Sequence, residues 1–230
     1  MKYTFFDQYE RHFDEKDVLK SLHMPEDHPF GESIAALLER TDRIACPKAF
    51  FIECEVEQIE DGVVTVAQHD FYSPILCKKL EGAKVVYPYL STCGRELADF
   101  GLELTDMMEK YAFDAVMEFY RRQIDVIAKG AVENLLPEKT VVSTSNPGSL
   151  IDWHISEQKT LFDLFGEAGE RSGVVLNDSY LMFPVKSVAG IAFGSSGVMH
   201  DCELCQKENC PGRKAAFNMK AYLAAKDEEM

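Results

Sequence analysis

Between residues 105 and 136 apolar side chains recur at helical spacing on two faces at once, and no other stretch constrains the fold as much. Leu104, Met108, Tyr111, Ala115 and Phe119 make one stripe; Phe113, Val116, Met117, Tyr120, Ile124, Ile127, Ala131 and Leu135 make the other. A helix with two apolar faces must be covered on both, so a long element set deep in the molecule is predicted. Its remaining side carries Asp114, Glu118, Arg121, Arg122, Asp125, Lys129 and Glu133 and is expected to face solvent, with an Asp125/Lys129 pair at helical spacing.

Around that helix, helices and strands interleave. Two short amphipathic helices are expected within residues 14–43, one about Val18, Leu19 and Leu22, the other from Glu32 through Ile34, Leu37 and Leu38 towards Ile44. Residues 49–56 read as a strand that returns through an Asp61-Gly62 turn into residues 63–66. Ser73-Pro74 starts a short helix, because the serine oxygen can cap free backbone donors and proline suits a first turn. A strand at 84–90 precedes the long helix. After it come a strand at 140–143, a loop at 145–153, a helix at 156–165 and strands near 174–176 and 187–193. A hairpin among longer crossovers predicts an α/β (α+β) single domain, with helices flanking a twisted, mixed or antiparallel central sheet, not a doubly wound parallel one. The expected divisions are an N-terminal helical segment 1–48, a core 49–199 and a polar, cysteine-rich tail 200–230.

Charge narrows the possible partners. Asp and Glu number 39 against 24 Lys and Arg, a formal charge of −15 that repels phosphate backbones and anionic lipid, so no nucleic acid and no membrane is expected. No apolar run approaches the roughly 20 residues that span a bilayer, and the first residues are too charged for a secretory signal, so a cytoplasmic location is expected. The patterns G-x-x-x-x-G-K-[ST], G-x-S-x-G and H-E-x-x-H are absent, and His69 and His154 stand alone. No catalytic residue is assigned.

The cysteines point elsewhere. Cys202 and Cys205 are spaced to grip one metal from a single turn, with Cys210 arriving after a short loop. An iron–sulfur cluster or zinc would suit them, with His200 or Cys93 as a fourth ligand or one iron left open; surface thiols without metal are the third reading. Cys54 and Cys77 read as small core residues.

Asn146-Pro147-Gly148-Ser149-Leu150-Ile151-Asp152-Trp153 before a helix, then residues 176–190 some 25 positions later, resemble the activation (reactivation) domain of cobalamin-dependent methionine synthase, here free-standing. The likeness runs over about 49–193; the tail lies outside the core pattern, although similar cysteine tails occur in free-standing members. The resemblance implies a C-shaped α/β domain that docks on a corrinoid-binding methyltransferase or methionine synthase. There an external one-electron donor reduces cobalt and S-adenosylmethionine methylates it, cobalamin being supplied by the partner. It also implies a ligand site. The family's Arg-x-Ala-Pro-Gly-Tyr falls on Thr144, Ser145, Asn146, Pro147, Gly148 and Ser149, its acidic residue on Asp178 and a second tyrosine position on Ala192. Thr144 offers a neutral hydrogen bond where arginine offers a charged fork. A cluster in the tail could bring the low-potential electron close to cobalt. The alternative is a non-catalytic corrinoid-protein binding module with a metal-stapled docking tail.

Overall fold

A computed structural model describes residues 2–197, 199–209 and 213–226. In chain order the elements are β1 (Tyr3–Phe6), α1 (Glu15–Ser21), α2 (Phe30–Asp42), β2 (Lys48–Ile52), β3 (Cys54–Glu60), β4 (Val63–Val66), β5 (His69–Tyr72) and α3 (Pro74–Lys79). They continue as β6 (Val85–Thr92), α4 (Arg95–Glu103), α5 (Met107–Glu133), β7 (Val141–Ser145), α6 (Gln158–Ser172), β8 (Val175–Leu176), β9 (Met182–Phe183), β10 (Ser187–Ser195) and α7 (Met219–Lys226).

Strand β6 is buried from Val86 to Thr92, so both its edges must be paired. One edge meets β2 and then β3, in a register that continues unchanged across Glu53. The stretch expected as one strand is therefore a single line of pairing interrupted at one residue. The other edge meets β10, which pairs in turn with β7. β1 extends the sheet beyond β2, and β4 and β5 extend it beyond β3. All pairings among the described residues are antiparallel, and helices flank this open eight-stranded sheet as the sequence predicts. Asp61-Gly62 turns β3 into β4 at φ +51° and +78°, as expected, while β4 turns into β5 on Ala67 and Gln68 at φ +49° and +63°. Neither Ala nor Gln advertises such a turn.

Alternation along the strands gives the sheet two different faces. Phe50, Leu90, Ile191 and Phe193 pack with Trp153, Leu161 and Phe165 on one of them. Phe50 meets Phe165 edge-on at 4.9 Å, a geometry worth about 0.5–1.5 kcal/mol beyond its area. The other face carries α5 over Phe51, Tyr87, Tyr89 and Ala192. Further along, α5 packs with α1, α2 and α4 around Val18, Leu37, Leu97, Phe113 and Tyr120, but the two apolar stripes are only partly covered. Met108 and Tyr111 of the first and Ile127 and Leu135 of the second are exposed, because among the described residues no element lies over them at the two ends and outer side of α5.

The charged side of α5 departs from expectation. Asp114 and Arg122 are exposed, but Arg121 and Asp125 are only 8% and 9% exposed, because α5 lies on Ser91 and Tyr89 of β6. A hydroxyl and a polarised ring beneath them supply partners that an apolar strand would lack. In the tail, Leu204 and Tyr222 join the same core as Phe50 and Trp153. Among the described residues no helix is long and apolar enough to cross a membrane.

Candidate functional site

Where β6, β10 and β7 run side by side, Ala192 lies opposite Thr144 on one side and Tyr87 on the other, and Gly190 lies opposite Tyr89. These residues share the face that carries α5. Asn146, just past β7, reaches back over that face: its Nδ2 donates to Ala189 O at 2.6 Å and to Tyr89 Oη at 3.1 Å. The approach is close because Gly190 has no side chain. A Cβ there would stand 2.3 Å from Asn146 Nδ2 and 2.4 Å from Ser145 O.

The loop after Asn146 is held by its own backbone. Pro147 is buried, and Gly148 turns the chain at φ +84° while its N–H donates to Trp153 O at 2.7 Å. Ser149 Oγ donates to Asn146 O at 2.5 Å and the Ser149 N–H to the same oxygen at 3.0 Å. Asp152 fastens the far end by accepting from Ser73 Oγ at 2.9 Å and from the Ile75 N–H at 2.7 Å, at the N-terminus of α3. The proline–glycine turn and strand β10, read separately from the sequence, thus touch.

Four residues absent from the expected site join it from below. Tyr89 is 4% exposed, and its hydroxyl receives a hydrogen bond from Asn146. Burial raises its pKa above the ordinary tyrosine value, so the hydroxyl stays protonated. Lys129 Nζ lies 5.4 Å from the Tyr89 ring centre and bonds Asp125 at 2.9 Å. Asp125 also accepts from Ser91 Oγ at 3.1 Å and lies 3.9 Å from Arg121, whose other nitrogen meets Glu118 at 2.7 Å. Burial opposes the Lys129 charge, yet the Asp125 carboxylate beside it holds its pKa above the usual lysine value. The spacing of Arg121, Asp125 and Lys129 every four residues was the visible signal; the strand they would meet was not.

The other expected site residues fare differently. Asp178 is exposed on the turn joining β8 to β9, and among the described residues no hydrogen bond or ion pair joins it to Thr144, Asn146, Ser149 or Ala192. Cys202 and Cys205 are half-buried; the Lys214 N–H donates to Cys202 Sγ at 3.4 Å, and Arg213 donates to the carbonyls of Cys202 and Cys205. Cys210 lies outside the described residues. Among the described residues no three His, Cys, Asp or Glu side chains gather as a metal would need. Cys93 is fully buried in the helical core with Leu97 and Phe113, whereas Leu204, between the two tail thiols, packs in the core of the opposite sheet face. Burial pushes the Cys93 thiol up to about 12. Iodoacetamide at pH 8 is therefore expected to alkylate Cys93 in the folded protein about a thousandfold more slowly than an ordinary thiol. Peptide mass spectrometry checks this against the urea-unfolded chain, and equal labelling in both states would contradict the burial.

No protein-family profile matches the chain, and no curated protein matches it in sequence. Among solved structures it is similar to a crystal structure of the MetH reactivation domain bound to AdoHcy, with a TM-score of 0.58 at 13% identity, covering 84% of this chain and 78% of that one. At that identity the likeness is one of fold alone, over most of both chains.

Proposed function

We propose that this chain serves the reductive reactivation of a corrinoid-dependent methyltransferase, methionine synthase being the client, and that it holds an S-adenosyl ligand where β7, β10 and the 146–149 loop meet. One observation carries the reading: Asn146 is hydrogen-bonded to Ala189 and Tyr89 across Gly190, within a fold similar to a domain whose crystal structure contains AdoHcy. When bound, S-adenosylmethionine would supply the methyl group for cobalt in the partner's corrinoid, with an external one-electron donor. This chain's own residues position and shield. The Asn146 NH2 and the Gly148 N–H are used within the protein, so the loop offers carbonyl oxygens at Pro147 and Gly148. Thr144 presents a hydroxyl, and Lys129 brings a positive charge to the face where the family's arginine is replaced by Thr144. No step is assigned to the tail thiols.

Isothermal titration with AdoHcy is expected to show saturable one-to-one binding. Mixing the chain with a Co(II) methyltransferase, a reductant and S-adenosylmethionine is expected to produce the methyl–Co(III) spectrum. Association without methylation would favour the non-catalytic docking module. Absence of both binding events would overturn the assignment.

A further inference from the structure

Asp201, the second residue of the tail, is 8% exposed and inserts into the loop that forms the proposed site. Its Oδ1 accepts from Ser145 Oγ at 2.7 Å and from the Lys79 ammonium. Its Oδ2 accepts from Ser149 Oγ, whose one proton it shares with Asn146 O, and stands 3.3 Å from the Asn146 N–H, which also donates to Ser149 Oγ at 3.1 Å. Ser145 points to the opposite sheet face from Thr144, so the carboxylate grips the loop from the side away from Thr144 and Ala192. Lys79, on α3, supplies the countercharge that a buried carboxylate needs. The hook itself is anchored. Leu204 and Tyr222 pack into the sheet core, Asn218 N donates to Glu203 O at 2.8 Å, and Arg213 ties the carbonyls of Cys202 and Cys205.

We propose that Asp201 is a positioning residue for the 146–149 loop, so that the cysteine-bearing tail is a working part of the S-adenosyl site and not an appendage to it. The inference rests on the function proposed above for the ligand, but not for the mechanical coupling. A tail that fastens the loop also transmits to it any rearrangement of the turn that carries Cys202 and Cys205.

The test uses the full chain with Asp201→Ala, Asp201→Asn and Ser145→Ala. Amide hydrogen exchange is read at Asn146, Gly148 and Ser149 and, as a remote control, at Leu37 and Leu38 of α2. Asp201→Ala is expected to speed exchange at the three loop amides about tenfold or more while leaving α2 unchanged. Asp201→Asn, which keeps the shape and one acceptor oxygen, should recover part of the protection. Ser145→Ala, which removes a donor to Asp201 and leaves the hydrogen bonds within residues 146–149 intact, should show the same local pattern, and it decides the matter if the Asp201 variants do not fold. Unchanged loop exchange, or equal acceleration in loop and α2, overturns the proposal. AdoHcy titration separates this inference from the function it builds on. If the wild type binds and Asp201→Ala binds about tenfold or more weakly, positioning is supported; equal binding refutes it. If the wild type does not bind, the ligand assignment fails and the exchange data alone judge the coupling.

Discussion

Asp125→Ala is expected to destabilise the folded chain by about 3 kcal/mol, the low end for breaking a buried ion pair, since Arg121 would still hold Glu118. The aspartate is the shared acceptor of Lys129 at 2.9 Å and Ser91 at 3.1 Å, with Arg121 at 3.9 Å, all beneath α5. Without it two cations face one another across a poorly solvated gap, and Ser91 loses its acceptor. Against a typical stability of about 5–15 kcal/mol, that loss should bring the urea midpoint down sharply. The control is Asp163→Ala, which removes an exposed pair with Lys159 and should cost about 0.5 kcal/mol or less. Equal effects of the two substitutions would mean that α5 carries its charges in solvent after all. Because Lys129 sits over Tyr89, and Tyr89 bonds Asn146, the loss should also weaken AdoHcy binding.

Gly190→Ala is the second large effect, expected at about 3 kcal/mol with loss of AdoHcy binding. The new Cβ would press on Ser145 O and on an Asn146 amide already committed to Ala189 and Tyr89. A backbone oxygen cannot swing aside as a flexible side chain can, so β7 would have to leave β10. Gly130 in α5 provides the contrast. A Cβ there meets nothing within 4 Å, and Gly130→Ala should stabilise the helix by about 0.5–1 kcal/mol. Thermal unfolding of both variants checks the pair, and a Gly190→Ala protein as stable as the wild type would show that the loop does not pass so near the sheet.

Much of the local structure was legible beforehand for a simple reason. The capping of α3 by Ser73, the Asp61-Gly62 turn and the length of α5 depend on residues close in sequence. Strand β1 and the Ala67-Gln68 turn escaped because nothing in their side chains announces them; they exist because β2 and β5 need neighbours, whereas helix α4 carried a readable apolar edge in Leu97, Phe100 and Leu104. The candidate site was half legible. Thr144, Asn146, Gly148 and Ala192 were named from a motif resemblance, and the sheet sets Thr144 beside Ala192. Tyr89 and Asp201 were invisible and Lys129 was legible only as a charge on α5, since each enters the site from an element distant in sequence. Asp178, named from the same resemblance, has no hydrogen bond to that cluster among the described residues.

Sequence alone determined that this chain interleaves helices with a sheet, mixed or antiparallel, around one long helix, because periodicity and turn chemistry act over a few residues; that every pairing among the described residues is antiparallel came from the structure. Tertiary structure decided which polar groups became partners. Whether Asp125 is a solvated charge or a buried acceptor, and whether Asp201 dangles or hooks the loop, depends on what lies opposite in space. The desolvation of a carboxylate is then recovered only through groups brought from elsewhere in the chain.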